Sequence, residues 1–103
     1  MMEEKLANVL SKAVDIYGTD AQIWMAIEEM AELNNALAKY RRSRVSYEDV
    51  CEEIADVLIM MIQLSYIFGV DEVNEIMESK IIRLEKRLAK HDANSETDVA
   101  GEV

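Results

Sequence analysis

Apolar positions recur every three or four residues along most of the chain, the spacing of amphipathic helices. Four helices are predicted. The first runs from about Glu3 to Tyr17, with Leu6, Val9, Leu10, Ala13, Val14 and Tyr17 in helical spacing and Gly18 as its stop. Thr19 followed by Gln22 fits a Thr-x-x-Gln capping box and opens a second helix to about Arg42. Lys39, Arg41, Arg42 and Arg44 fall in its last turn and the loop beyond, where cations suit the negative end of the helix dipole. Ser46 is an N-cap, with Glu48 and Asp49 behind it, so the third helix spans from near Tyr47 to Gly69. Asp71 then caps a fourth from about Glu72 to Ala89, with Val73, Ile76, Met77, Ile81, Leu84 and Leu88 on one face. Residues 91–103, HDANSETDVAGEV, carry four acids and no base and lose the periodicity. A disordered tail is expected there, behind a single all-α domain over residues 1–90.

Composition agrees: Pro is absent and Gly occurs three times, which leaves little material for a turn-rich β fold. In the third helix Val50, Ile54, Val57, Leu58, Ile59, Met60, Met61, Ile62, Leu64, Ile67 and Phe68 occupy almost the whole circumference. Such a helix is expected to be buried nearly all round, and three short neighbours do not provide enough cover, so an oligomer is expected. Its apolar run from Val57 to Ile67 is broken by Gln63 and Ser65 and is too short to span a bilayer. The net charge of −10 opposes binding to nucleic acid and to anionic membrane. The segment MMEEKLANVL does not read as a secretory signal, and the single Cys51 can make neither an intramolecular disulfide nor a zinc site and reads as a buried thiol. A soluble cytoplasmic protein is the expectation.

Charge changes the picture most in the middle of the chain. Glu28, Glu29 and Glu32 project into one sector of helix two, opposite an Ile23, Ile27, Met30, Leu37 stripe. Glu53 and Asp56 in helix three are three apart, with Cβ atoms about 5 to 6 Å from each other. Glutamates at such spacing usually form a solvated polar face. Here Glu53 and Asp56 share a stripe with Met60 and Ile67, which turns them toward a partly enclosed space. Carboxylates packed together without a cation raise one another's pKa values. Oxygen-only donors favour Mg²⁺, or Mn²⁺ in its place, over zinc, and Mg²⁺ shares its remaining positions with water and substrate phosphates. A di-iron site is excluded, since it needs a Glu-x-x-His on each of two helices and the one histidine, His91, stands at the start of the tail.

The run EEMAEL at 28–33, then EEIADVL at 52–58, resembles the Glu-Glu-x-x-Glu and Glu-x-x-Asp signature of the MazG-like all-α nucleoside triphosphate pyrophosphohydrolases. YGTDAQIWMAIEE before it and ESKIIRLEKR at 78–87 extend the resemblance over roughly residues 15–90. It implies a four-helix MazG-like fold, a dimer or tetramer, and cleavage of a nucleoside triphosphate between the α and β phosphates to a monophosphate and pyrophosphate. It also implies Glu29, Glu32, Glu53 and Asp56 as metal ligands, with Glu28, Glu29 and Glu53 as the catalytic carboxylates and Glu28 as the outer one that orients or activates water. Lys80 and Arg83, one turn apart on helix four, are candidate phosphate partners, against the alternative of a solvated basic face paired with Glu78 and Glu85. Gln22 and Trp24 are candidate base-binding residues, with Trp24 otherwise in the core or a subunit interface. Asn35, three beyond Glu32, is placed on the surface, with the edge of the site as the alternative. Relatives that hydrolyse dUTP or phosphoribosyl-ATP share this chemistry, and a non-catalytic helical interaction module is the rival from another class.

Overall fold

The computed structural model describes the backbone of residues 2–102 and the side chains of residues 4–94. The chain is all-α: α1 (Met2–Tyr17), α2 (Thr19–Arg41), α3 (Tyr47–Phe68) and α4 (Val70–Glu102), with no strand among the described residues. It divides into two compact units, one ending at Gly69 and the other beginning at Val70. In the first unit α2 and α3 form the main packed pair, and α1 lies against both.

The helix ends follow local chemistry. Single glycines, Gly18 and Gly69, separate α1 from α2 and α3 from α4, with φ of 90° and 133°, values that a side chain would strain. Between α2 and α3, the N–H groups of Arg42 and Arg44 donate to the Lys39 carbonyl, and Ser43 turns the chain at φ 57°. Ser46 then caps α3 as expected: its Oγ accepts from the Asp49 N–H at 3.3 Å, and Asp49 Oδ2 accepts from the Ser46 N–H at 2.9 Å.

Two other caps differ from expectation. Thr19 is already helical, so its hydroxyl makes no capping bond, and Gly18 stands at the N-cap. α4 begins at Val70, which puts Asp71 within the first turn rather than at the cap. The same helix extends past Ala89 to Glu102; no Pro or Gly interrupts it before Gly101. Side chains beyond Asn94 lie outside the described residues.

Packing reverses part of the sequence reading. On α2 the covered face is the series Gln22, Ala26, Glu29, Leu33 and Ala36, spaced four, three, four and three residues apart. The Ile27, Met30 and Leu37 stripe, about 100° round the helix from it, is exposed. On α3 Val50, Met60 and Gln63 are buried, but Ile54, Leu58 and Ile59 are 41–57% exposed. Burial nearly all round therefore does not hold within the chain, because α1 and α2 cover one side of α3 only. Cys51, one residue round from Val50, is exposed rather than a buried thiol. Every described residue of α4 from Asp71 to Asn94 is exposed as well, apolar side chains included.

Ser46→Ala is expected to lower the free energy of unfolding by about 1 kcal/mol, the usual worth of an N-cap, in urea titrations followed by circular dichroism. An unchanged midpoint would mean that the capping box does not set the start of α3.

Candidate metal centre

Antiparallel packing of α2 against α3 brings two distant parts of the sequence together. Glu29 occupies a place in the covered series of α2 where an apolar residue would otherwise sit, between Ala26 and Leu33. Glu53 and Asp56 come up from α3 at the same level. One carboxylate oxygen from each of Glu29, Glu53 and Asp56 lies within 4.8 Å of the other two. The three could hold a metal ion.

The environment of this cluster is uneven. Asp56 is exposed, whereas Glu29 and Glu53 are half-buried. Oε2 of Glu29 and Oε2 of Glu53 are both shielded from solvent without a hydrogen-bond partner. Burial pushes the Glu29 carboxyl above its ordinary range, and the charges of Glu32, Asp56 and Glu53 push it further. Glu53 is raised by burial first, then by Glu32, Asp56 and Glu52. The charge of Glu32 thus acts on both of these carboxylates. Among the described residues no cationic side chain is ion-paired with the cluster. Buried anionic oxygens in that condition are either protonated or bound to a cation.

Of the residues expected to bind metal, Glu29, Glu53 and Asp56 are gathered into one triad, with Glu32 on its flank. Glu28 is exposed, one residue round the helix from Glu29, and lies outside the triad. Gln22 and Trp24 are not brought together. Gln22 is 2% exposed in the core, and its Nε2 donates to Met25 Sδ at 4.0 Å, whereas Trp24 is 59% exposed. Lys80 and Arg83 are exposed on α4, in the second unit.

Beside the triad, toward the α2–α3 loop, is a cleft of ≈ 180 Å³ lined by Glu32, Asn35, Ala36, Lys39, Val45, Asp49 and Glu53. Asn35 thus lines the edge of the site, the less expected of its two positions. Lys39 has its place there as well, beyond the helix-dipole role that its sequence position suggested. Its signal was the spacing of seven from Glu32, which returns nearly to the same helix face.

No family model matches the chain, and no curated protein or solved structure matches it.

The raised carboxyls give a stability signature with a definite sign. A carboxyl whose folded-state pKa lies above its unfolded value holds its proton more tightly when folded. Its contribution to stability is present at pH below the unfolded value and is lost as pH rises through the folded value. Metal-free protein is therefore expected to melt at higher temperature near pH 5 than near pH 8, and Glu29→Gln with Glu53→Gln should raise the melting temperature at the higher pH and flatten this part of the profile. Melts followed by circular dichroism in EDTA test it. A pair of substitutions that lowers the melting temperature would show that the two carboxylates are already satisfied.

Proposed function

We propose that the chain is a divalent-metal-dependent nucleoside triphosphate pyrophosphohydrolase of the MazG-like type, with Glu29, Glu53 and Asp56 as the metal-binding core and Glu32 beside them. One observation carries the reading: three carboxylates from two helices converge within 4.8 Å, and two of them keep shielded, unpartnered oxygens. The donor set fits the group. It is all hard oxygen, with no histidine or thiolate in the cluster, the pattern suited to Mg²⁺ or Mn²⁺. The acidic spacing that resembles the MazG-like signature supplies the reaction class, which carboxylate geometry alone would leave open.

When bound, such a cation lowers the pKa of water and stabilises charge on the attacking and leaving oxygens. The residues of the chain have separate tasks around it. Glu29 and Glu53, half-buried in the α2–α3 seam, would hold the ion together with the more exposed Asp56, on whose side substrate would enter. Glu28, on the solvent side of Glu29, accepts a proton from the attacking water. The water oxygen bonds to the α phosphorus, the bond from that phosphorus to the α–β bridging oxygen breaks, and pyrophosphate leaves with the bridging oxygen and its electron pair. Base stacking falls to the exposed indole of Trp24, because Gln22 is enclosed in the core and bonded to Met25. Self-association as a dimer or tetramer would cover Ile27, Met30, Leu37 and Leu58, which the single chain leaves exposed.

The test is pyrophosphate release from a panel of canonical and modified nucleoside triphosphates, dUTP and phosphoribosyl-ATP included, with Mg²⁺, Mn²⁺ or EDTA. Release should require metal, and Glu53→Gln or Asp56→Asn should reduce it by about a hundred-fold or more, as loss of a group stabilising transition-state charge does, with helical content unchanged. Silence across the panel from folded protein would favour the non-catalytic interaction module, and full activity in both variants would remove the metal centre from the reaction.

A further inference from the structure

The cleft beside the carboxylates is bounded by the last turns of α2 and the first turns of α3, and its lining is polarised. Glu32 and Glu53, at one end, belong to the acidic cluster. Asp49 also lines it, but Asp49 Oδ2 accepts from both the backbone N–H and the hydroxyl of Ser46, at 2.9 and 3.0 Å, so its charge is committed to the α3 N-terminus. Lys39 is the cation in the lining, and among the described residues its ammonium has no ion-pair partner.

That last fact is the informative one. Three carboxylates line the same cleft as this ammonium, yet among the described residues none forms an ion pair with it. Lys39 lies ten residues beyond Glu29, about 15 Å along the helix axis. Side chains on a helix lean toward its N-terminus, which tilts the Lys39 stem back toward the carboxylates rather than away over the loop. The negative end of α2 and the positive end of α3 meet at the loop end and offset each other, which leaves Lys39 to set the local sign. A ligand that satisfies the whole cleft must present a bound divalent cation to the carboxylates and anionic oxygen to the ammonium. Phosphoanhydride chelated to metal has that character.

We propose that this cleft seats the two terminal phosphates of the substrate, and hence the departing pyrophosphate, with Lys39 as their counter-charge and the Asn35 amide as a hydrogen-bond donor. The proposal rests on the hydrolase reading for its substrate and extends it by assigning the leaving group to the α2–α3 side of the metal centre. Lys39 acts as a point charge with three donors, the form in which lysine ordinarily meets phosphate.

Calorimetric titration of inorganic pyrophosphate into the full chain with Mg²⁺ present tests it. Lys39→Gln should weaken pyrophosphate binding about ten-fold or more, the loss expected for one charge-assisted hydrogen bond, while Lys39→Arg stays within a few-fold of the original. Mn²⁺ affinity measured without pyrophosphate should be the same in all three proteins, which keeps the metal centre as an internal control. Pyrophosphate binding unaltered by Lys39→Gln would overturn the proposal. If the protein hydrolyses triphosphates and that result is obtained, the cleft assignment fails and the hydrolase reading stands. Lys39-dependent binding of pyrophosphate by a protein that hydrolyses no triphosphate would have the opposite meaning.

Discussion

The α2–α3 seam holds like charges together with no ion-paired cation among the described residues, and the properties of the site follow from that constraint. Each carboxylate is fixed by a helix whose other contacts are ordinary packing. Ala26, 1% exposed, lets the two helices approach closely, and Met60 is buried on the α3 side. The capping box at Ser46 and the short turn before it fix where α3 begins, and hence which turn of α3 faces Glu29. Moving apart to relieve the repulsion would expose that packing. The acids therefore remain crowded, with raised proton affinity and shielded oxygens at Glu29 and Glu53, a condition that a hard cation would relieve by neutralisation.

Polarity within the first unit is ordered along the seam. Toward the glycine-flanked ends of α2 and α3, the buried side chains are Gln22, Ala26, Met60 and Gln63. The carboxylates come next, and the open cleft with Asn35 and Lys39 follows toward the loop. Gln63, 4% exposed with an unpartnered Oε1, adds to the cost of this arrangement, since a buried amide oxygen without a donor loses its solvation uncompensated. So small a unit has few apolar contacts to set against these costs. The apolar side chains left exposed on α2, α3 and α4 are the obvious reserve, available if further surface is covered by another molecule.

Much of the fold was legible. Four helices, the stop at Gly18, the cap at Ser46 and the end of α3 at Gly69 all followed from local rules, because helix propensity, capping and glycine chemistry act within a few residues. The Thr19 box failed for an equally local reason, since the helix starts one residue earlier and removes the hydroxyl from capping position. Apolar stripes were harder to interpret. Ile27, Met30 and Leu37 have the spacing of a core face, yet the α3-facing series runs through Gln22, Ala26, Glu29, Leu33 and Ala36. Periodicity identifies a stripe without saying which neighbour, if any, will cover it.

The sequence by itself determined that the chain is helical, where the first three helices begin and end to within a residue or so, and that carboxylates recur at neighbouring positions on both α2 and α3. These are properties of residue type and short spacing within each helix. Only the tertiary structure decided that Glu29 and not Glu28 enters the seam, that Gln22 is enclosed while Trp24 is free, and that Lys39 shares a cleft with Glu53. Each of those depends on the rotation and register of α2 against α3, which the packing of Ala26, Val50 and Met60 selects at long range.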